Sequence, residues 1–135
     1  MIIFGIGTDI VSVDRIKNSL KNKHFLNRVF NEKEIVKCKK VKVSVNCYAK
    51  RFAAKEAYSK ALGTGISNGI NFNEIVVLNK KSGKPYIDII GKTKKILNKK
   101  FKGKKSKISL SLSDEKKYAV AFVTISLWKK KTWFI

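Results

Sequence analysis

The sequence predicts an α+β domain with an N-terminal strand, a helical block around one long helix, and an antiparallel sheet toward the C-terminus. Three observations carry that reading. Residues 2–11 alternate, with Ile2, Phe4, Ile6 and Ile10 on one face and Ile3, Gly5, Gly7, Asp9 and Val11 on the other. A long helix runs from about Ser44 to Leu62 and stops at Gly63. Near the C-terminus, Ile108, Leu110 and Leu112 alternate strictly with Ser109, Ser111 and Ser113. A turn through Asp114–Lys117 then leads into the β-prone run Tyr118–Leu127, which makes a hairpin.

The remaining elements follow in order. Residues 13–22 predict a short basic helix carrying Arg15 and Lys17, followed by an ordered turn through His24–Phe30. Asn31 and Glu34 have the spacing of a capping box and open a short helix to about Lys40. Phe72–Asn79 predicts a strand, Lys80–Lys84 with Ser82-Gly83 a turn, and Pro85–Ile90 the return strand. A lysine-rich helix spans roughly Thr93–Phe101. Residues 1–128 form one domain, and 129–135 a loosely attached basic and aromatic tail.

The 135 residues carry 31 basic and 9 acidic side chains, a formal charge of +22. With 44% hydrophobic residues the chain still has enough apolar surface to build one core. The longest apolar run, around Ile2–Ile6, is far short of the ~20 residues of a membrane-spanning helix. The start, MIIFGIG, has neither a basic leader nor a cleavage site. Cys38 and Cys47 form neither a CxxC motif nor a disulfide framework and read as structural; with His24 the single histidine, a His/Cys zinc site is not expected. The expected setting is the reduced cytoplasm.

A charge this high attracts polyanions, whether nucleic acid, an acidic protein or a phosphorylated small molecule. Arginine, the better base and phosphate reader, occurs only as Arg15, Arg28 and Arg51. That scarcity argues against specific nucleic-acid recognition, and much of the lysine reads equally well as the product of a genome rich in A and T. A basic RNA- or ribosome-binding module is the rival reading from a different class. The tail, with Trp128 and Trp133 around three lysines, is a candidate contact for anionic lipid.

Four places could carry chemistry. Asp9 shares its strand face with Gly5 and Gly7, and glycine inside a strand weakens it unless something approaches closely; Asp9 reads either as a ligand or as an ordinary strand end. On the long helix, Glu56 points away from Cys47, Ala54, Tyr58 and Ala61, among Phe52, Lys60, Ala49 and Ala53. It reads either as a carboxylate needing a partner or as half of an i,i+4 pair with Lys60. If Asp9 and Glu56 converge, they describe a magnesium site, with Lys60 reaching the same phosphate as a point charge. The Gly63-Thr64-Gly65 turn would then admit a phosphate to the backbone, or simply stop the helix. Asp114 reads as a third ligand, a general base or a turn former.

Three segments together, GIGTDIV (Gly5–Val11), RFAAKEAYSKALGTGI (Arg51–Ile66) and SLSDEKKYAVAFV (Ser111–Val123), resemble holo-acyl-carrier-protein synthase, the short bacterial type of 4'-phosphopantetheinyl transferase. SGKPYI (Ser82–Ile87) matches its central hairpin, and the likeness extends in order to about Leu127. The resemblance implies that family's fold and transfer of the 4'-phosphopantetheine arm of coenzyme A to a serine of an acidic apo-acyl carrier protein. Adenosine 3',5'-bisphosphate is the by-product. It further implies that Asp9 and Glu56 bind Mg²⁺ and that Lys60 contacts the coenzyme phosphates. A water on the metal, or Glu56 or Asp114 through water, takes the serine proton. Arg51, Phe52 and Gly63 match positions near the coenzyme, and Lys84-Pro85 a hairpin that touches its adenine end from a neighbouring subunit. Arg15 matches a basic carrier-docking position, and the family is typically a homotrimer with sites at subunit interfaces. Many members carry His where this chain has Asp114, so no histidine base is expected there.

Overall fold

The structure, a computed structural model, describes residues 1–63 and 69–129. Thr64 and Gly65 of the glycine turn, and residues 130–135 with the lipid-contact reading of the tail, lie outside those bounds. The chain opens with strand β1 (Ile2–Ser12) and passes through helices α1 (Val13–Ser19), α2 (Lys23–Val29) and α3 (Glu32–Lys40) into the long α4 (Ser44–Leu62). A 3₁₀ turn at Phe72–Glu74 leads into the hairpin β2 (Ile75–Asn79) and β3 (Pro85–Ile89). Then come α5 (Gly91–Lys100), β4 (Lys105–Asp114) and β5 (Tyr118–Trp128). β1, β5 and β4 form an antiparallel sheet in that order, and β2 pairs antiparallel with β3. This is the expected α+β architecture.

The alternation read from the sequence decides the two faces of the three-stranded sheet. Gly5, Gly7 and Asp9 of β1 share the inner face with Ala119, Ala121, Val123 and Ile125 of β5 and with Leu110 and Leu112 of β4. Helix α4 lies against that face. A methyl group at Gly5 would fall on the Ala61 carbonyl oxygen, and one at Gly7 on that of Ala57. The glycines therefore admit a helix backbone. The isoleucine face points outward: Ile6 is 62% and Ile10 64% exposed, with Val120 and Phe122 beside them on β5. A register shift between Ile3 and Gly5 re-aims Phe4, which packs edge-on against Phe101 at 5.0 Å.

Helix α4 has the expected bounds and ends on Gly63 in the left-handed region, φ 80°. It is buried on nearly every side, so its burial does not follow an amphipathic stripe. Lys55, fully buried on it, donates all three of its N–H groups: to Glu34 Oε1 (2.7 Å), the Phe72 carbonyl (2.7 Å) and the Ile75 carbonyl (2.6 Å). Glu34, the expected capping-box residue of α3, accepts in addition from the Asn31 and Val77 N–H groups. One ion pair thus fastens α3, α4 and the start of β2. Burial pulls the Lys55 ammonium down to about 8, with Glu34 opposing the shift.

Several boundaries differ from the sequence reading. The turn expected through His24–Phe30 is helix α2, because the Asn22 carboxamide caps it by accepting from the N–H groups of His24 and Phe25. Phe72–Glu74 forms a 3₁₀ turn before the strand rather than its first residues. Helix α5 begins at Gly91, two residues early, because the Glu74 carboxylate accepts from the Lys92 and Thr93 N–H groups and caps it from another element. Cys38 and Cys47, expected to be unpaired, are joined as a disulfide between α3 and α4, their Cα atoms 5.4 Å apart.

Two stability outcomes follow from these contacts. Lys55→Met leaves Glu34 charged and buried without its partner, so urea denaturation should show a loss of about 3–5 kcal/mol. Most of that should return in the Lys55→Met, Glu34→Leu double variant. Gly7→Ala forces β1 off α4 and should cost about 1–3 kcal/mol in the same measurement.

Candidate active site

Helix α4 supplies Arg51, Phe52, Glu56 and Lys60, and the β1–α4 contact decides which of the candidate residues meet. Because Gly7 lies against Ala57, Asp9 two residues further along β1 comes beside the outer turns of the helix. There the Lys60 ammonium donates to Asp9 Oδ1 and to the Thr8 carbonyl, each at 3.0 Å. Lys60 therefore pairs with Asp9, leaving the ordinary Glu56–Lys60 helix pair unformed. Asp9 is no strand end, since β1 continues to Ser12. Its Oδ2 is buried and has no hydrogen-bond partner among the described residues.

Glu56 is close enough to feel that charge. Burial raises the proton affinity of its carboxyl, Asp9 raises it further, and Lys60 opposes both. Asp9 and Glu56 thus form a repelling pair held together by packing, with one oxygen unsatisfied. Among the described residues no three His, Cys, Asp or Glu side chains cluster, so the donor set is two carboxylates. That set suits a hard cation that keeps much of its water shell. Beside Glu56 opens a cleft of about 350 Å³, lined by Phe52, Phe25, Val29, Phe72 and Arg28 among others. The sequence reading missed Arg28, Phe25 and Val29 here because it had no α2 to aim them.

A second cluster lies on another side of α4. Arg51 and Glu56 are five residues apart, about 140° around a helix. The buried Arg51 donates through Nη1 to the Cys47 carbonyl and through Nη2 to Asn79 Oδ1 at 2.8 Å. Burial lowers its proton affinity and Glu34 partly restores it. Asn79 in turn holds the Gly83 carbonyl, so the hairpin end carrying Lys84 and Pro85 belongs to this cluster. Asp114 accepts from Asn46 Nδ2 at 2.8 Å, with the Lys50 ammonium at 3.6 Å. A cleft of about 350 Å³ joins Arg51, Asn79, Asn46, Lys50 and Asp114. Among the described residues none lines both clefts. Gly63 ends α4 exposed, with no atom of the described residues within 4 Å of where a side chain would stand, and Arg15 is exposed on α1. The candidates thus divide: Asp9, Phe52, Glu56 and Lys60 come together, whereas Arg51 and Asp114 line the second cleft and Lys84 and Pro85 stand on the hairpin that Arg51 reaches through Asn79.

This fold, with a strand aspartate and a mid-helix glutamate meeting across a glycine seam, falls in a known class. Residues 5–123 match the model of the 4'-phosphopantetheinyl transferase superfamily, and the chain belongs to that family. Within it, the chain is 51% identical over 125 residues to the holo-[acyl-carrier-protein] synthase of Pelagibacter ubique, covering 93% of this chain and 98% of that protein. The crystal structure of the synthase from Neisseria meningitidis superposes with a TM-score of 0.81 at 38% identity, covering 93% of this chain and 99% of that one. The Helicobacter pylori synthase, solved in complex with coenzyme A, superposes at 0.75 with 33% identity, covering 90% and 99%.

The raised carboxyl of Glu56 has a consequence for stability. A carboxyl whose proton affinity is higher folded than unfolded contributes fully below its ordinary range, and that contribution is lost as pH rises through the shifted value. Ionised Glu56 therefore destabilises the metal-free protein at neutral pH. Glu56→Gln should raise the thermal midpoint in chelator-treated buffer at pH 7, and the gain should shrink as the pH falls toward about 4.

Proposed function

We propose that this chain is a holo-acyl-carrier-protein synthase, transferring the 4'-phosphopantetheine arm of coenzyme A to a serine of apo-acyl carrier protein. The observation that carries the reading is the Oδ2 of Asp9, without a hydrogen-bond partner among the described residues, beside a Glu56 carboxyl raised by burial and by Asp9. Two carboxylates forced together with a spare oxygen fit a divalent cation, and Lys60 already stands against Asp9 as a positive charge. Asp9 and Glu56 would hold Mg²⁺. When bound, the ion supplies neutralisation of the diphosphate oxygens.

The chain's own residues do the rest. Lys60, 56% exposed at its side chain, is free to turn from Asp9 to the departing phosphate once another cation takes its place. Phe52 and the apolar wall of the first cleft line a slot beside Glu56 for the arm. The serine oxygen bonds to phosphorus, the bond from phosphorus to the oxygen bridging it to the adenosine-bearing phosphate breaks, and adenosine 3',5'-bisphosphate leaves. The serine proton passes to water in the cleft beside Glu56. Positioning and charge neutralisation, with little covalent work by the protein, are what phosphoryl transfer asks for. Arg15, exposed on α1, supports docking of an acidic carrier, and the +22 charge would raise the association rate.

Arg51, Lys84, Pro85 and Asp114 act at the nucleotide end of the coenzyme, contributed to each site by a neighbouring copy. The separation of the two clefts in one chain supports this, as does the apolar outer face of the sheet, where Ile6, Ile10, Val120 and Phe122 are uncovered. A homotrimer would bury that face and join the halves.

Three outcomes test the reading. Glu56→Gln, incubated with apo-carrier, coenzyme A and Mg²⁺, should lose at least about 100-fold in labelling rate, read as the carrier's mass gain; undiminished labelling removes Glu56 from the reaction, and chelator should silence the unaltered enzyme. Transfer at subsaturating carrier should slow as salt rises, through association rather than turnover. Phe122→Lys should convert the trimer into monomers in analytical ultracentrifugation and abolish transfer while the circular dichroism stays native.

A further inference from the structure

Cys38 and Cys47 lie on adjoining helices with unequal surroundings. Cys38 on α3 is fully buried, while Cys47 on α4 is 6% exposed and lines the second cleft. That cleft also holds Lys37, Lys50 and Arg51, against one carboxylate, Asp114. Arg51 Nη1 donates directly to Cys47 Sγ at 3.2 Å. A guanidinium touching one sulfur and not the other favours the anion on that sulfur once the bond is open, and the thiolate is the form that exchanges.

We propose that Cys38 and Cys47 form a reversible thiol–disulfide site that exchanges with small disulfides of the glutathione class, with Cys47 as the attacking sulfur and Arg51 as its positioning residue. The Cys47 thiolate attacks one sulfur of the small disulfide, forming a mixed disulfide and releasing one small thiolate, which takes up a proton. Cys38 then loses its proton to water and attacks Cys47 Sγ, displacing the second small thiol. Two protein thiols and one small disulfide become one protein disulfide and two small thiols. The asymmetry sets the order, since only Cys47 faces the cleft. The bond ties α3 to α4 across residues 39–46, one turn from Arg51, so its state bears directly on that guanidinium.

The test contains no coenzyme and no carrier, so it stands apart from the transferase reading. The full chain is equilibrated in reduced and oxidised glutathione at graded ratios, quenched with an alkylating agent and weighed. We expect two alkyl groups to give way to none as the ratio becomes oxidising, and to return on reduction. Retention of both at the most oxidising ratio overturns the proposal. Cys38→Ala should trap a glutathione adduct on Cys47, whereas Cys47→Ala should trap little on Cys38; equal trapping overturns the assignment of the attacking sulfur. Cys38→Ser serves as a second trap should the alanine variant misfold. Arg51→Met should slow adduct formation at neutral pH at least about fivefold, and Arg51→Lys should restore most of the rate; an unchanged rate in the methionine variant removes Arg51 from the step.

Discussion

The structure depends on a backbone-to-backbone approach: at Gly5 and Gly7, β1 meets α4 with no strand side chain between them. Gly5 against Ala61 and Gly7 against Ala57 let a strand and a helix touch closely enough that Asp9 meets Lys60 and comes within electrostatic reach of Glu56. Every larger residue at either glycine would push the strand outward and carry Asp9 with it. The site is therefore an outcome of packing, because residues from opposite ends of the motif come together through the absence of atoms elsewhere. The repulsion between the two carboxylates is sustained by that same contact, whose small residues leave little room to relax.

Behind this seam the Lys55–Glu34 pair does a different job. It joins three elements that meet on the far side of α4 and satisfies carbonyls at the 3₁₀ turn that the hairpin cannot reach. Buried ion pairs contribute little net stability compared with a well-packed apolar core, yet breaking one by displacing a partner leaves a buried charge uncompensated. Lys55 next to Glu56 in sequence thus means that one residue locks the rotation of α4 and the next belongs to the proposed site. A small rotation of the helix would break the first and misaim the second.

The fold was legible where side-chain period and backbone punctuation agreed. The alternation of Ile108–Ser113, the capping box at Asn31 and the stop at Gly63 each correspond to elements with nearly the expected bounds. The misreadings come from one local cap and from long-range partners. Helix α2 depends on a cap at Asn22 within a stretch that reads as a turn, and α5 starts early because a carboxylate from the 3₁₀ turn completes it. The glycine face of β1 was visible, but nothing in the sequence says that a helix rather than a ligand fills it. Lysine is a surface residue by default, so Lys55 carried no sign of burial beyond its neighbours Ala53, Ala54 and Ala57. The cysteine pair escaped for a related reason, because nine residues of spacing say nothing until α3 and α4 are folded side by side. For the candidate site, the sequence and its family resemblance named the candidates, whereas their division between two clefts emerged only once α4 had a definite rotation.

That division has a genetic consequence. If each working pocket takes one wall from one copy and the opposing wall from its neighbour, a lesion at Glu56 and a lesion at Arg51 damage different pockets of the same ring. Two defective alleles expressed together would then assemble mixed particles in which some pockets receive two sound walls. Activity would reappear from parents that have none, a behaviour that a self-contained pocket in each copy could not produce.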